Sequence, residues 1–151
     1  MEHRNPVPTV DVIVQRDSKV LMIKRKKDPF KGYLALPGGF VNEGETVEEA
    51  MKREAKEETS LEIEPVDILG VYSDPRRDPR KHSMSTVFVG IIVDGKDIAG
   101  DDAASIEWVE LDQIEKQQQM AFDHLQMIKD YKNWRSSGGG TFWSTKRRRN
   151  D

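Results

Sequence analysis

Residues 38–61 read Gly-Gly-Phe-Val-Asn-Glu-Gly-Glu-Thr-Val-Glu-Glu-Ala-Met-Lys-Arg-Glu-Ala-Lys-Glu-Glu-Thr-Ser-Leu, a tight turn running into an acidic helix. Thr46 is a favoured N-cap residue and Glu49, three positions on, completes a capping box, so a helix is predicted from Val47 to about Thr59. At about 100° per residue, with Val47 as origin, Ala50, Met51 and Ala55 define an apolar arc at about 300°, 40° and 80°. By the same rule Glu54, Glu57 and Glu58 fall at about 340°, 280° and 20°. Three carboxylates therefore continue the direction of the apolar stripe, while Glu49, Lys52, Lys56 and Thr59 take the opposite, solvated side.

A Glu-rich run ordinarily faces water. Here, three like charges on a partly buried arc repel one another and lose hydration unless something neutralises them. Their i, i+3 and i+4 spacing converges them, and a hard divalent cation prefers oxygen ligands. The preceding Pro37-Gly38-Gly39 turn lets backbone carbonyls approach a ligand without obstruction by a β carbon. Arg53, at about 240°, sits where it can orient a carboxylate by bidentate pairing.

Outward from this helix the chain alternates strands and loops. Val10–Val14 and Lys19–Ile23 read as a hairpin turning at Arg16-Asp17-Ser18, and Leu34 to Phe40 as a short strand entering the turn. Leu61 to Tyr72 is extended but broken by Pro65; Ser85–Val93 is the clearest strand, and Ile106–Val109 alternates with period two. Leu111 to Lys116 is a helical turn, and Ala121 to Trp134 a closing amphipathic helix carrying Phe122, Leu125 and Ile128. Strands flanking one helix, with a second helix closing the chain, predict an α/β domain: a mixed sheet packed between helices. Its expected span is 1–135, with 136–151 a Gly-rich, basic, flexible tail.

Composition narrows the function classes. A chain of 151 residues, 36% hydrophobic and 34% charged, suits one globular domain. It has no cysteine, which excludes disulfides and thiolate metal sites. The apolar uncharged run of the body, Ser83 to Val93, is about half a membrane span, so a cytoplasmic protein without membrane contact is expected. The net charge of −3 divides into +3 on the tail, from Lys146 to Arg149 against Asp151, and −6 elsewhere. An acidic body argues against nucleic-acid binding, except through the tail.

Gly39, five residues, Glu45, seven residues, Arg53-Glu54-Ala55-Lys56-Glu57-Glu58, and then Leu61 resembles the Nudix box, G-x5-E-x7-R-E-U-x-E-E-x-G-U with U aliphatic. Every polar position of the pattern is present; Ser60 replaces its glycine, which ends the helix rather than doing chemistry. The resemblance implies a Nudix-type α/β/α sandwich and hydrolysis of a pyrophosphate link. It implies metal ligation by Gly38, Glu54, Glu57 and Glu58, with Mg²⁺ the expected ion and Mn²⁺ a possible substitute. Glu57 and Arg53 are then candidate catalytic residues, Arg53 and Glu45 bracing loop and helix. Related enzymes often carry an acid ahead of the residue matching Trp108, which makes Asp102, rather than Asp101, the candidate further ligand or general base.

Ser73-Asp-Pro-Arg-Arg-Asp-Pro-Arg-Lys-His-Ser-Met-Ser gathers cations whose guanidinium forks suit phosphate oxygens. By composition alone it is equally a solvated loop of local Asp–Arg pairs. It is similar to a loop of the ADP-ribose pyrophosphatases, as is Ala121-Phe122-Asp123-His124. That similarity makes Arg76, Arg77, Arg80, His82 and Ser85 the candidate substrate-binding residues, with Phe30, Tyr33 and Phe40 available to clamp adenine. His124 on its own reads as a packed helix-face residue. The implied activity is cleavage of ADP-ribose to AMP and ribose 5-phosphate by a homodimer. The alternatives are a pyrophosphohydrolase of modified nucleoside triphosphates and a non-catalytic ADP-ribose sensor.

Overall fold

The computed structural model describes residues 3–100, 103–116 and 119–145. Its elements, in order, are β1 (Val7–Arg16), β2 (Lys19–Arg25), β3 (Leu34–Ala35), β4 (Gly38–Phe40), α1 (Val47–Thr59), β5 (Glu62–Tyr72), β6 (Ser83–Asp94), β7 (Ala103–Glu110), a 3-10 turn at Leu111–Lys116, α2 (His124–Ser137) and β8 (Phe142–Trp143).

The sheet is mixed. Its main path runs β3-β2-β1-β6-β5-β8, with β4 joined to β1 and β7 to β2. β1 and β6 pair in parallel from Val7↔Ser83 to Val14↔Gly90, and β5 with β8 likewise; the remaining pairs are antiparallel. One edge of β1 is divided. β4 takes Thr9 to Asp11, whereas β2 pairs only at Gln15 and Arg16 before turning away to β3 and β7. A cleft opens where the strands part.

The period-two alternation of β1 builds a layer on each face. Val10, Val12 and Val14 join Ala50, Met51 and Ala55 of α1, with Leu61 and Phe88, in one core. Ile13 joins Met127, Ile128 and Tyr131 of α2, with Leu36, Leu69 and Tyr72, in the other. This is the expected sandwich of helix, mixed sheet and helix.

Several local expectations are corrected. Thr59 is fully buried rather than solvated: its hydroxyl donates to the Ala55 carbonyl at 2.6 Å, and residues 97–100 fold over this end of the helix, Ile98 donating to the Thr59 carbonyl. Pro65 does not break β5. It lies where the register shifts, since a residue without an N–H is tolerated at a bulge. α2 starts at His124, three residues later than expected, because Phe122 takes φ 52° and packs instead against Phe30. The flexible tail does not begin at 136. Ser136 and Ser137 end α2, and Phe142 of β8 is buried in the core. Lys146–Asp151 lie outside the described residues.

Candidate active site

The capping box at Thr46 and Glu49 forms with both of its bonds and fixes where α1 begins. The helix ends at Ser60 in the left-handed conformation, φ 66°, that the pattern's glycine adopts freely. A side chain there costs about 1–2 kcal/mol; the Ser60 hydroxyl offsets part of this by donating to the Ile98 carbonyl at 2.9 Å.

α1 faces β4. Val12 N–H donates to the Pro37 carbonyl and Val41 N–H to the Pro8 carbonyl, which puts Gly38 and Phe40 at the non-bonded positions of the β1–β4 ladder. Their N–H and C=O groups therefore point away from β1, toward the helix. Gly38 N–H donates to Glu58 Oε1 at 2.9 Å, and the Phe40 carbonyl accepts from Arg53 at 2.9 Å. Arg53 is the hub of this corner. Its Nε and Nη2 fork onto Glu45 at 2.6 and 2.9 Å, and its Nη1 bridges Glu54 at 2.9 Å and Glu57 at 3.2 Å. These bonds, with Glu45 first, raise the Arg53 pKa and depress that of Glu45.

The three glutamates are not equivalent. Glu58 is buried and Glu54 nearly so; both line the cleft, whereas the Glu57 side chain is 57% exposed, bonded to Arg53, and does not line it. Gly39 lies against Glu54 so closely that a β carbon there would stand 2.4 Å from the carboxyl carbon. Among the described residues no three His, Asp or Glu side chains form a ready-made metal cage. The groups that do meet here are carboxylate and backbone oxygens, the donor set of a hard divalent cation. Asp101 and Asp102 lie outside the described residues; Gly100, just before them, donates its N–H to the Glu58 carbonyl at 2.8 Å.

The cleft has a volume of about 270 Å³. Besides Glu54 and Glu58 it is lined by the cations Arg25, Lys27, Arg77 and Arg80 and by the aromatic rings of Phe40 and Phe122. Arg80 stands 5.3 Å from the Phe40 ring and Arg25 5.0 Å from Phe122, within cation–π range. Sequence reasoning missed Arg25. Its Nε donates to the Pro29 carbonyl at 2.7 Å, and burial, then the Arg80 charge, lower its pKa. The only signal available was a run of four cations, Lys24 to Lys27, ending a hydrophobic strand, and nothing in it singles out Arg25.

The candidate substrate-binding residues separate in space. Arg77 and Arg80 reach the cleft, Arg80 also gripping Asp78 with two bonds. Arg77 is buried, forking onto Asp123 and donating to Ser83. Burial opposes its charge, but the bond to Asp123 and the nearby aspartates outweigh burial and raise its pKa. Arg76 pairs with Asp74 in solvent, and His82 Nε2 meets the Ser73 carbonyl at 2.9 Å. Neither lines the cleft. Ser85 is fully buried and donates to Asp11 Oδ2. Asp11, likewise unanticipated, takes His124 Nε2 at 3.3 Å on its other oxygen. His124 Nδ1 accepts the Leu36 N–H at 3.0 Å, so the neutral ring carries its proton on Nε2, facing Asp11. His124, at the start of α2, thus ties β1 to the segment that follows β3 in the cleft wall, rather than packing on a helix face.

Comparison with known proteins agrees with this geometry. The NUDIX domain model matches residues 5–131. The ADP-ribose pyrophosphatase of Methanocaldococcus jannaschii is 52% identical over 132 residues, which cover 87% of this chain and 76% of that protein. Among solved structures, the NUDIX domain of Shewanella oneidensis NrtR complexed with ADP ribose superposes with a TM-score of 0.75 at 28% identity, covering 87% of this chain and 89% of that one. A bifunctional NMN adenylyltransferase/ADP ribose pyrophosphatase from Francisella tularensis, complexed with AMP and a Mn ion, gives 0.76 at 28% identity, over 92% of this chain and 44% of that one. The acidic box, the sandwich that presents it and the match across residues 5–131 agree: the chain belongs to the Nudix family.

Proposed function

We propose that the protein is a divalent-cation-dependent hydrolase that cleaves ADP-ribose to AMP and ribose 5-phosphate, using Mg²⁺, which Mn²⁺ can replace. The observation that carries this reading is a single cleft joining the Glu54 and Glu58 carboxylates to the Arg25 and Arg80 guanidiniums and the Phe40 and Phe122 rings. A pyrophosphate needs cations on its oxygens, a nucleoside needs an apolar wall, and the two are adjacent here. The name of the archaeal relative at 52% identity supports the substrate.

Glu54, Glu57, Glu58 and the Gly38 backbone would hold the cation. When bound, it would supply Lewis acidity and neutralise phosphate charge. Arg25 and Arg80 bind the pyrophosphate oxygens, and Arg77, held by Asp123, fixes the loop that delivers Arg80. Arg53 holds Glu54 and Glu57 in register with the Glu45 loop. Water attacks one phosphorus and the bridging P–O bond breaks. Glu57, the most accessible of the three glutamates, takes the water's proton; Asp102 is the alternative acceptor. By family resemblance the protein acts as a homodimer, and its composition is that expected of a cytoplasmic protein.

A substrate panel with Mg²⁺ tests this. AMP released from ADP-ribose supports the proposal. Pyrophosphate released from modified nucleoside triphosphates, with ADP-ribose untouched, overturns it in favour of a pool-sanitising enzyme, and ADP-ribose binding without turnover overturns it in favour of a sensor. In Glu57→Gln, kcat falls by orders of magnitude while the melting temperature holds.

A further inference from the structure

The family match ends at residue 131, whereas α2 runs on to Ser137. After α2 closes at Gly138 with φ 78°, the chain returns to the sheet, and β8 pairs in parallel with β5 at Gly70↔Phe142 and Val71↔Trp143. Phe142 is buried beside Leu69, Tyr72 and Tyr131, which anchors the return. The absence of a side chain at Gly70 is a condition for this pairing. A β carbon there would lie 2.0 Å from the Phe142 carbonyl oxygen, a backbone atom that cannot yield without losing the strand.

Ser144 follows directly. Its hydroxyl oxygen accepts the N–H of Ser73 at 2.8 Å and that of Asp74 at 3.3 Å. Those amides are the first two of the Arg-rich loop, and the loop is built upward from them. The Ser73 carbonyl meets His82 Nε2 and closes the base of the loop. The Asp74 carbonyl accepts Arg77 N–H at 3.0 Å, and the Asp74 carboxylate holds Arg76. From this base Arg77 runs inward to Asp123, and Arg80 lies over Phe40 at the cleft.

We infer that residues 142–144 form a strap that fixes the cleft's cationic loop from outside the region matching the family, and that Ser144 is its positioning residue. Ser144 does not line the cleft, so its effect passes through the loop. A loop held at its base presents Arg80 already in place. Released, it must be ordered by the substrate, and the ordering cost appears in KM rather than kcat.

The test compares the wild-type full chain with Ser144→Ala, which removes the acceptor, and Ser144→Thr, which restores it. With ADP-ribose and Mg²⁺, KM rises about three- to tenfold in Ser144→Ala, the scale of one neutral hydrogen bond, with kcat within about twofold of wild type. Ser144→Thr returns KM to the wild-type value. This arm rests on the proposed substrate, so a second arm does without it. Limited trypsin digestion, read by mass spectrometry, cleaves the Arg76–Arg77 bond several-fold faster in Ser144→Ala, while cleavage elsewhere in the folded body stays at the wild-type rate. Unchanged cleavage at that bond overturns the strap. So does acceleration spread across the whole chain, which marks a general loss of stability. A chain inactive on ADP-ribose but showing the selective cleavage overturns the substrate and leaves the strap standing.

Discussion

Replacing Gly39 by alanine displaces one carboxylate and leaves the fold alone. Gly39 has no left-handed backbone, so an alanine is conformationally admissible. Its β carbon would stand 2.4 Å from the Glu54 carboxyl carbon and 2.6 Å from each of that group's oxygens. Non-bonded carbons rest about 3.5–4.0 Å apart, so the carboxylate must retreat by about 1 Å or more. It sits at the end of a flexible side chain and can do so. A 1 Å misplacement at a reacting centre costs about a hundredfold in rate. Gly38→Ala is the contrasting case. Its β carbon would meet the Val10 carbonyl oxygen at 2.1 Å and Asp11 Cα at 2.9 Å; both are backbone atoms, so the β1–β4 pair itself must open. The assay is AMP release from ADP-ribose under saturating Mg²⁺, beside thermal melting of each variant. Gly39→Ala loses about two orders of magnitude in kcat with a near-native melting temperature, whereas Gly38→Ala loses both activity and several degrees. A fully active Gly39→Ala would refute the placement of Glu54 as a working carboxylate.

Three further outcomes follow from the cleft and its walls. Arg25→Ala raises KM for ADP-ribose by about tenfold, the scale of one charge-assisted bond, with the melting temperature steady or higher because a partly desolvated cation is gone; an unchanged KM removes Arg25 from the binding site. Arg77→Lys destabilises the fold by about 1–3 kcal/mol in urea unfolding, since an ammonium keeps the charge but loses the planar fork that bonds both Asp123 oxygens and Ser83 at once; a variant as stable as wild type would show that the fork is dispensable. Burial pushes the Asp78 carboxyl up, but its bonds to Arg80 pull harder and leave it below the ordinary carboxylate range. The stability it contributes is therefore complete above pH about 4 and drains away as pH falls through the depressed value. The difference in urea midpoint between wild type and Asp78→Asn should be the same at pH 7 and pH 5 and close toward pH 3; closure already at pH 5 contradicts the depressed value.

What was legible in the sequence was what neighbours in the chain encode. The capping box, the length of α1 and the arc shared by Ala50, Met51, Ala55, Glu54 and Glu58 depend on spacings of three and four residues, which a helix turns directly into a face. The valines of β1 announced a strand by type, and the order of elements announced the layers. Thr59 defeated the same wheel, because its burial comes from residues 97–100 folding over the helix end, a contact that no periodicity within the helix can express.

Tertiary structure alone decided which polar groups meet. Asp11, Arg77, Asp123 and His124 come from a strand, a loop and a helix terminus, and only the divided edge of β1 brings them to one wall. The five cations and hydroxyls read as one binding set were sorted by burial. Arg80 and the buried Arg77 line the cleft, Ser85 lies behind it, and Arg76 and His82 stand outside. Phe142 and Ser144 gave no signal either, since a two-residue strand has no period to read. Their partners are about seventy residues away in sequence, and only the folded chain closes that distance.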